Sequence, residues 1–287
     1  MPVWQAGVVL SLAALLLAVQ SLSLPAAIWT SLGLFLLGVP HGAVERHPVT
    51  DPAHARTPAL RRLVPTAGYT ALYLVVALVI FCGWVIDPRL TLAAFLAVSA
   101  WHFSASEPRL RTVGAWVVLG SLLALTRPTL DVFSLITARE LSTPALMEVG
   151  RITALCAGAA LAAEAVWRHD LPYAALLVGM FALLHPVCAV ALYYFGIHSL
   201  REWREVHAQT RERDARPLAA MLRLYAPFSL PVLAGGAGII ALVARGDVSL
   251  WIATGLAVAI ATPHMLPFER WVAASRAEDG KPRMAAH

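Results

Sequence analysis

Charge is what this chain has least of. Only 14% of its 287 residues are Asp, Glu, Lys or Arg, against 59% hydrophobic, and mean hydropathy is +0.70. Soluble domains carry roughly 25% charged residues, so the deficit argues for a bilayer protein. Lysine is nearly missing, with Lys281 the single example. No apolar segment can therefore form a lysine Schiff base with retinal, which excludes a rhodopsin-type pigment. Cys82, Cys156 and Cys188 sit singly in apolar runs without CxxC spacing, so neither a disulfide framework nor a zinc knuckle is indicated. No basic stretch precedes the first apolar run, MPVWQAGVVLSLAALLLAVQ, which is expected to be a retained span rather than a cleaved signal. No soluble domain, internal repeat or low-complexity linker is visible. The net charge of +5 marks cytoplasmic loops and says little about nucleic acid.

What remains is a succession of apolar runs. A span needs about 20 apolar residues, fewer when buried among other helices. Ten candidates emerge, at roughly 5–22, 26–42, 67–86, 90–105, 113–127, 150–167, 171–185, 187–202, 224–244 and 248–266. Pro25 and Asp87-Pro88 separate neighbours early in the chain. The run from Leu171 to His198 is too long for one span and short for two, with Pro186 marking either a tight hairpin or a kink. Charge decides for two. With an inside N-terminus and ten spans, seventeen of the 22 Lys and Arg fall on the cytoplasmic side, as the positive-inside rule requires. The expected fold is thus all-α: a single polytopic membrane bundle over about residues 5–270 with both termini cytoplasmic and a polar tail at 271–287. The segment from Pro128 to Gly150 is the one sizeable outside connection and reads as an interfacial helix.

Four apolar runs end in the same way, on a histidine with a carboxylate shortly after: GVPHGAVE, SAWHFSASE, LYYFGIHSLRE and ATPHMLPFE. Under this topology His41, His102, His198 and His264 close spans two, four, eight and ten, all running inward. They fall at one depth, so they are the candidate metal ligands and catalytic residues. Imidazole suits iron, copper, zinc and nickel alike. One histidine at a helix end is as readily explained by interfacial hydrogen bonding or the C-terminal dipole; four at one depth are not. His47, His54, His169, His207 and His287 belong to loops or the tail, and His185, at the opposite end beside Pro186, reads as structural.

Glu45 follows His41 by four residues and Glu202 follows His198 by four, the spacing that shares a helix face. Glu107 follows His102 by five. These three are the candidates to receive the second N–H of a ligating imidazole. The plainer alternative pairs them with Arg46, Arg109 or Arg201 at the membrane surface, and for Glu269, five after His264, pairing with Arg270 is the better reading. Trp101, Phe103, Tyr193, Tyr194, Phe195 and Met265 gather at the same ends. Such stripes usually pack helices, but these could also wall an apolar substrate tunnel. Gly42 and Gly196 adjoin the ligand positions.

At these residues the chain resembles the Brp/Blh-type β-carotene 15,15′-dioxygenases of bacteria and archaea. The likeness is carried by Pro40-His41-Gly42 with Glu45, by His102-Phe103, by the block from Tyr194 to Arg201, and by Thr262 to Met265, in order over about residues 36–268. The resemblance implies a multi-pass enzyme of the bacterial or archaeal cytoplasmic membrane, with Fe2+ held by His41, His102, His198 and His264. It implies O2 and a hydrophobic carotenoid as reactants, central cleavage to two retinals, and a rhodopsin as their recipient. One departure stands out: the family block often places a second histidine four residues after the first, where this chain has Glu202.

Other classes fit less well. Di-iron desaturases and hydroxylases carry HxxxH and HxxHH clusters, and HxxHH is absent here. A metal-ion or proton transporter would spread intramembrane carboxylates across the bilayer depth, whereas here the buried polar groups gather on one side apart from Glu164 and His185. A scaffold with incidental histidines is the plainest alternative.

Overall fold

The computed structural model describes residues 3–38, 59–107, 109–123, 144–204 and 217–265. Every element among them is helical. In chain order these are α1 (Val3–Leu22), α2 (Leu24–Gly38), α3 (Ala59–Ile86), α4 (Pro88–Ser106), α5 (Val113–Leu123), α6 (Pro144–Trp167), α7 (Leu171–Leu183), α8 (Pro186–Leu192), α9 (Pro217–Arg245) and α10 (Leu250–Met265). The helix begun by α8 continues as a π-helix over Tyr193–Ser199.

Proline places several of the boundaries. α4, α6, α8 and α9 each begin on one, where the missing N–H would have no intrahelical partner anyway. Asp87 completes the start of α4 by accepting from the Arg89 and Leu90 amides at 3.0 and 3.2 Å. Pro186 likewise resolves the ambiguous run into two helices. His185 is the N-cap of α8, its Nδ1 accepting from the Val187 amide at 3.4 Å. Its own amide donates to Gln20 Oε1 at 2.6 Å, which ties the α7–α8 corner to α1.

Each helix corresponds to one expected span, but some run further. α3 begins at Ala59 rather than 67, and α9 at Pro217 rather than 224. Residues 144–150, expected in an outside connection, form the first turns of α6. The remainder of that connection and the C-terminal tail lie outside the described residues.

Among the described residues, the apolar stretches Trp4–Leu22 in α1 and Glu148–Trp167 in α6 are both long and apolar enough to cross a membrane unaided. Shorter apolar stretches occur in α2, α3, α7, α9 and α10. Large apolar side chains lie on the outside as well as in the core, and several polar ones are buried. Leu74, Leu78 and Val79 on α3 and Leu155 on α6 are all more than 60% exposed, while Gln5, His102, Glu107, His198 and Arg201 are buried.

α8 is the hub. It packs against α1, α2, α5 and α7, and Cys188, Ala189, Ala191, Leu192 and Tyr193 are buried along it and its continuation. α4 packs on α5 so closely that a side chain at Gly114 would collide with the Ala100 carbonyl and with Ser104. Glycine is needed there because backbone meets backbone. That contact lies within one turn of His102 and helps set the position of the α4 C-terminus.

Candidate functional site

Two elements deliver the central side chains. His102 lies in the last turns of α4, and His198 is the sixth residue of the π-helical segment. They are 2% and 0% exposed, and their Nε2 atoms face one another at 3.3 Å. Since metal–imidazole bonds are about 2.0–2.1 Å, two ligands of one ion should hold their nitrogens about 2.8–3.4 Å apart, between right-angled and tetrahedral arrangements. The observed separation fits a pair of ligands to one first-row metal ion. Among the described residues no set of three or more His, Cys, Asp or Glu donors converges.

His41 and Glu45 lie outside the described residues, and so does the side chain of His264. The helices leading to those positions can be followed. Ser199 Oγ lies 3.4 Å from the Gly38 carbonyl, and a side chain on Gly38 would strike the Tyr194 ring. The end of α2 therefore abuts the π segment. At the end of α10, Met265 Sδ lies 3.6 Å from Ser99 Oγ, one turn before His102. The C-terminal ends of α2, α4 and α10 and the π continuation of α8 thus come to one region.

Aromatic rings surround the histidine pair. The Phe103 ring lies 5.1 Å from His198 and 5.2 Å from Tyr193, edge-on to both. Tyr194 stacks on His198 at 6.1 Å and also meets Phe35. Met265 is buried, and Phe195 packs against the core. Trp101 does not join this group: it is 47% exposed, on the outer surface of α4. Adjacent residues of a helix differ in direction by about 100°, so Trp101 and His102 serve different surfaces.

Glu107 and Glu202 are both paired with Arg201. Glu107 Oε2 accepts from Arg201 Nη1 at 2.8 Å and from the Tyr173 hydroxyl at 2.9 Å, while its Oε1 accepts from the Arg109 amide at 3.1 Å. Glu202 Oε1 accepts from Arg201 Nη2 at 3.0 Å. Arg201 thus holds both carboxylates, and the same Nη2 lies 3.4 Å from His198 Nδ1. Ser106 Oγ is on that nitrogen too, at 3.5 Å. The pairing of carboxylate with arginine is buried within the protein: Arg201 and Glu107 side chains are 8% and 2% exposed.

Sequence reading missed Tyr173, Ser106 and Gln5, and gave Arg201 only a surface role. For Arg201 a signal existed, because it lies three residues after His198 and so shares its face. For Tyr173 and Gln5 there was none, since they come from other helices. Nearby, Arg109 is held by Asp170 at 2.6 Å and lies over the Tyr173 ring at 4.3 Å. Glu164, counted as an outlier in depth, secures the start of α5. It accepts from the Arg111 and Thr112 amides at 2.9 and 2.8 Å, where a negative charge suits the helix N-terminus.

Together these features define a class: an all-helical protein with an apolar exterior that buries a facing histidine pair between aromatic rings. The chain belongs to the beta-carotene 15,15'-dioxygenase family, which it matches over residues 32–271. Comparison with curated proteins and with solved structures gave no match. Membership supports a carotenoid-cleaving dioxygenase function, with a hydrophobic carotenoid and O2 as reactants.

Proposed function

We propose that the protein is an integral, multi-pass membrane enzyme that uses iron and O2 to cleave β-carotene at its central double bond, giving two molecules of retinal. The observation that carries this reading is the buried His102–His198 pair, with Nε2 atoms 3.3 Å apart, inside a chain of this family. Membrane embedding is supported by the exposed apolar faces of α3 and α6, outside a core that holds a small buried polar cluster. Helices too short to span unaided are accommodated when packed within a bundle.

His102 and His198 would hold the iron, and the family resemblance adds His41 and His264 as the remaining ligands. Bound iron supplies the means of activating O2. The chain supplies position and exclusion. Phe103 and Tyr194 line the histidine pair with apolar faces that hold a polyene and keep water out. Ser106 Oγ, 3.5 Å from His198 Nδ1 on the side away from His102, can accept the N–H that a metal-bound imidazole carries there and so restrain the ring. A carotenoid dissolves in the bilayer, so it approaches from lipid and needs no aqueous route. One oxygen atom enters each aldehyde, and no side chain need donate or accept a proton. The products leave into lipid, where a retinal-binding membrane protein such as a rhodopsin would receive them.

The test is expression in bacteria that accumulate β-carotene. Loss of orange colour with the appearance of retinal is expected. Unchanged carotene beside abundant folded protein overturns the reading, and shorter or longer apocarotenals in place of retinal would overturn central cleavage alone.

A further inference from the structure

The orientation of His198 depends on a backbone irregularity whose brace comes from the other end of the chain. α8 is α-helical to Leu192 and π-helical from Tyr193 to Ser199. A π turn contains one more residue than an α turn, so the residues beyond it are swung by about 100° relative to an uninterrupted α-helix. His198 lies near the end of that segment, and its direction therefore depends on the extra residue being retained.

A seven-residue π segment is rare and needs external support. The Leu200 N–H goes to the carbonyls of Phe195 and Ile197, passing over Gly196, its acceptor in an α-helix. Gln5 takes up that carbonyl. Its Nε2 donates to the Gly196 and Ile197 carbonyls at 3.1 and 3.1 Å, across 191 and 192 positions of sequence. A primary carboxamide has two hydrogens, so one side chain satisfies both bonds. Gln5 is only 2% exposed. Ser199 Oγ adds a second brace by donating to the Tyr194 carbonyl, five residues back, at 2.7 Å. Gly196 admits α1 closely: a Cβ there would meet Val9 Cγ2 at 3.2 Å, one helical turn from Gln5.

We infer that Gln5 is a positioning residue whose carboxamide holds the Tyr193–Ser199 segment in π register and thereby aims His198 at His102. The inference deepens the metal-site reading above and rests on it. The family match begins at residue 32, so it does not extend to Gln5 or to α1.

The experiment uses the full chain, purified in detergent, with Co(II) as a spectroscopic probe. Gln5→Met keeps length and packing but removes both donors. Its Co(II) affinity should fall about 10- to 100-fold, the usual effect of losing a residue that orients a ligand, with an altered ligand-field spectrum. Hydrogen exchange in the peptide covering 193–199 should quicken while α5 is unchanged. A folded Gln5→Met protein with wild-type Co(II) affinity and spectrum overturns the inference, even if less stable, because Gln5 would then be merely structural. Should wild-type protein bind no Co(II), the metal reading fails. Exchange over 193–199 then decides alone: faster in the variant supports the inference and equal overturns it. If Gln5→Met does not fold, Gln5→Asn, which keeps the amide but shortens its reach, is read by the same criteria.

Discussion

Arg201 Nη1 lies 2.8 Å from Glu107 Oε2 with both side chains buried, joining the turn after α4 to the end of the π segment. The two residues are 94 positions apart, and the pair fastens the segments carrying His102 and His198 to one another. Charges withdrawn from water in this way are costly unless paired and hydrogen-bonded, and Tyr173 and Glu202 complete the pairing.

Breaking that pair on one side should destabilise strongly. Arg201→Met leaves Glu107 and Glu202 buried without their partner, a loss of about 3–5 kcal/mol. Thermal unfolding in detergent measures it. Replacing Glu107, Arg201 and Glu202 together with apolar residues should recover most of the stability. Equal stability of Arg201→Met and wild type would show the network to be dispensable.

The two buried histidines should be separable from the capping one. His102→Ala and His198→Ala are each expected to abolish metal retention and retinal formation together. His185→Ala removes an N-cap acceptor and should cost about 0.5–2 kcal/mol of stability while leaving cleavage near wild type. Metal analysis and retinal yield on the same preparations check all three.

Chelation provides a test of the cofactor. Protein treated with an iron chelator should lose cleavage activity, and Fe(II) should restore it where Zn(II) does not, because zinc has no redox chemistry to offer O2. Full activity in metal-free protein would contradict the iron assignment while leaving family membership untouched.

The α4–α5 crossing is a third point of vulnerability. Gly114→Ala places a methyl group against the Ala100 carbonyl. Overpacking of this kind costs about 1–3 kcal/mol, and here it pushes α4 outward within one turn of His102. A lower melting temperature accompanied by reduced metal content is the expected result. The same substitution at Gly179, where a Cβ meets nothing within 4 Å, should be tolerated and serves as the control.

Much of this molecule can be read before it is folded. Hydropathy and proline positions suffice for ten helices, because an apolar run closed by Pro or Asp-Pro is a local property. Asp87-Pro88 and Pro186 show this directly, since each begins a helix. His102 and His198 are legible as candidates because imidazole at the end of an apolar run is costly without a purpose. Trp101 shows the limit, since its neighbour turns inward while it faces out.

Composition and local pattern alone therefore determined the helical class, the ten α-helices among the described residues, and His102 and His198 as candidates. Tertiary structure decided which atoms meet. The rotation of each helix about its axis fixes whether a ring faces His198 or lipid, and that rotation is set by packing between segments far apart in sequence. A π segment held by Gln5, and a buried arginine shared between Glu107 and Glu202, depend on such contacts, so no local pattern of residues could have announced them.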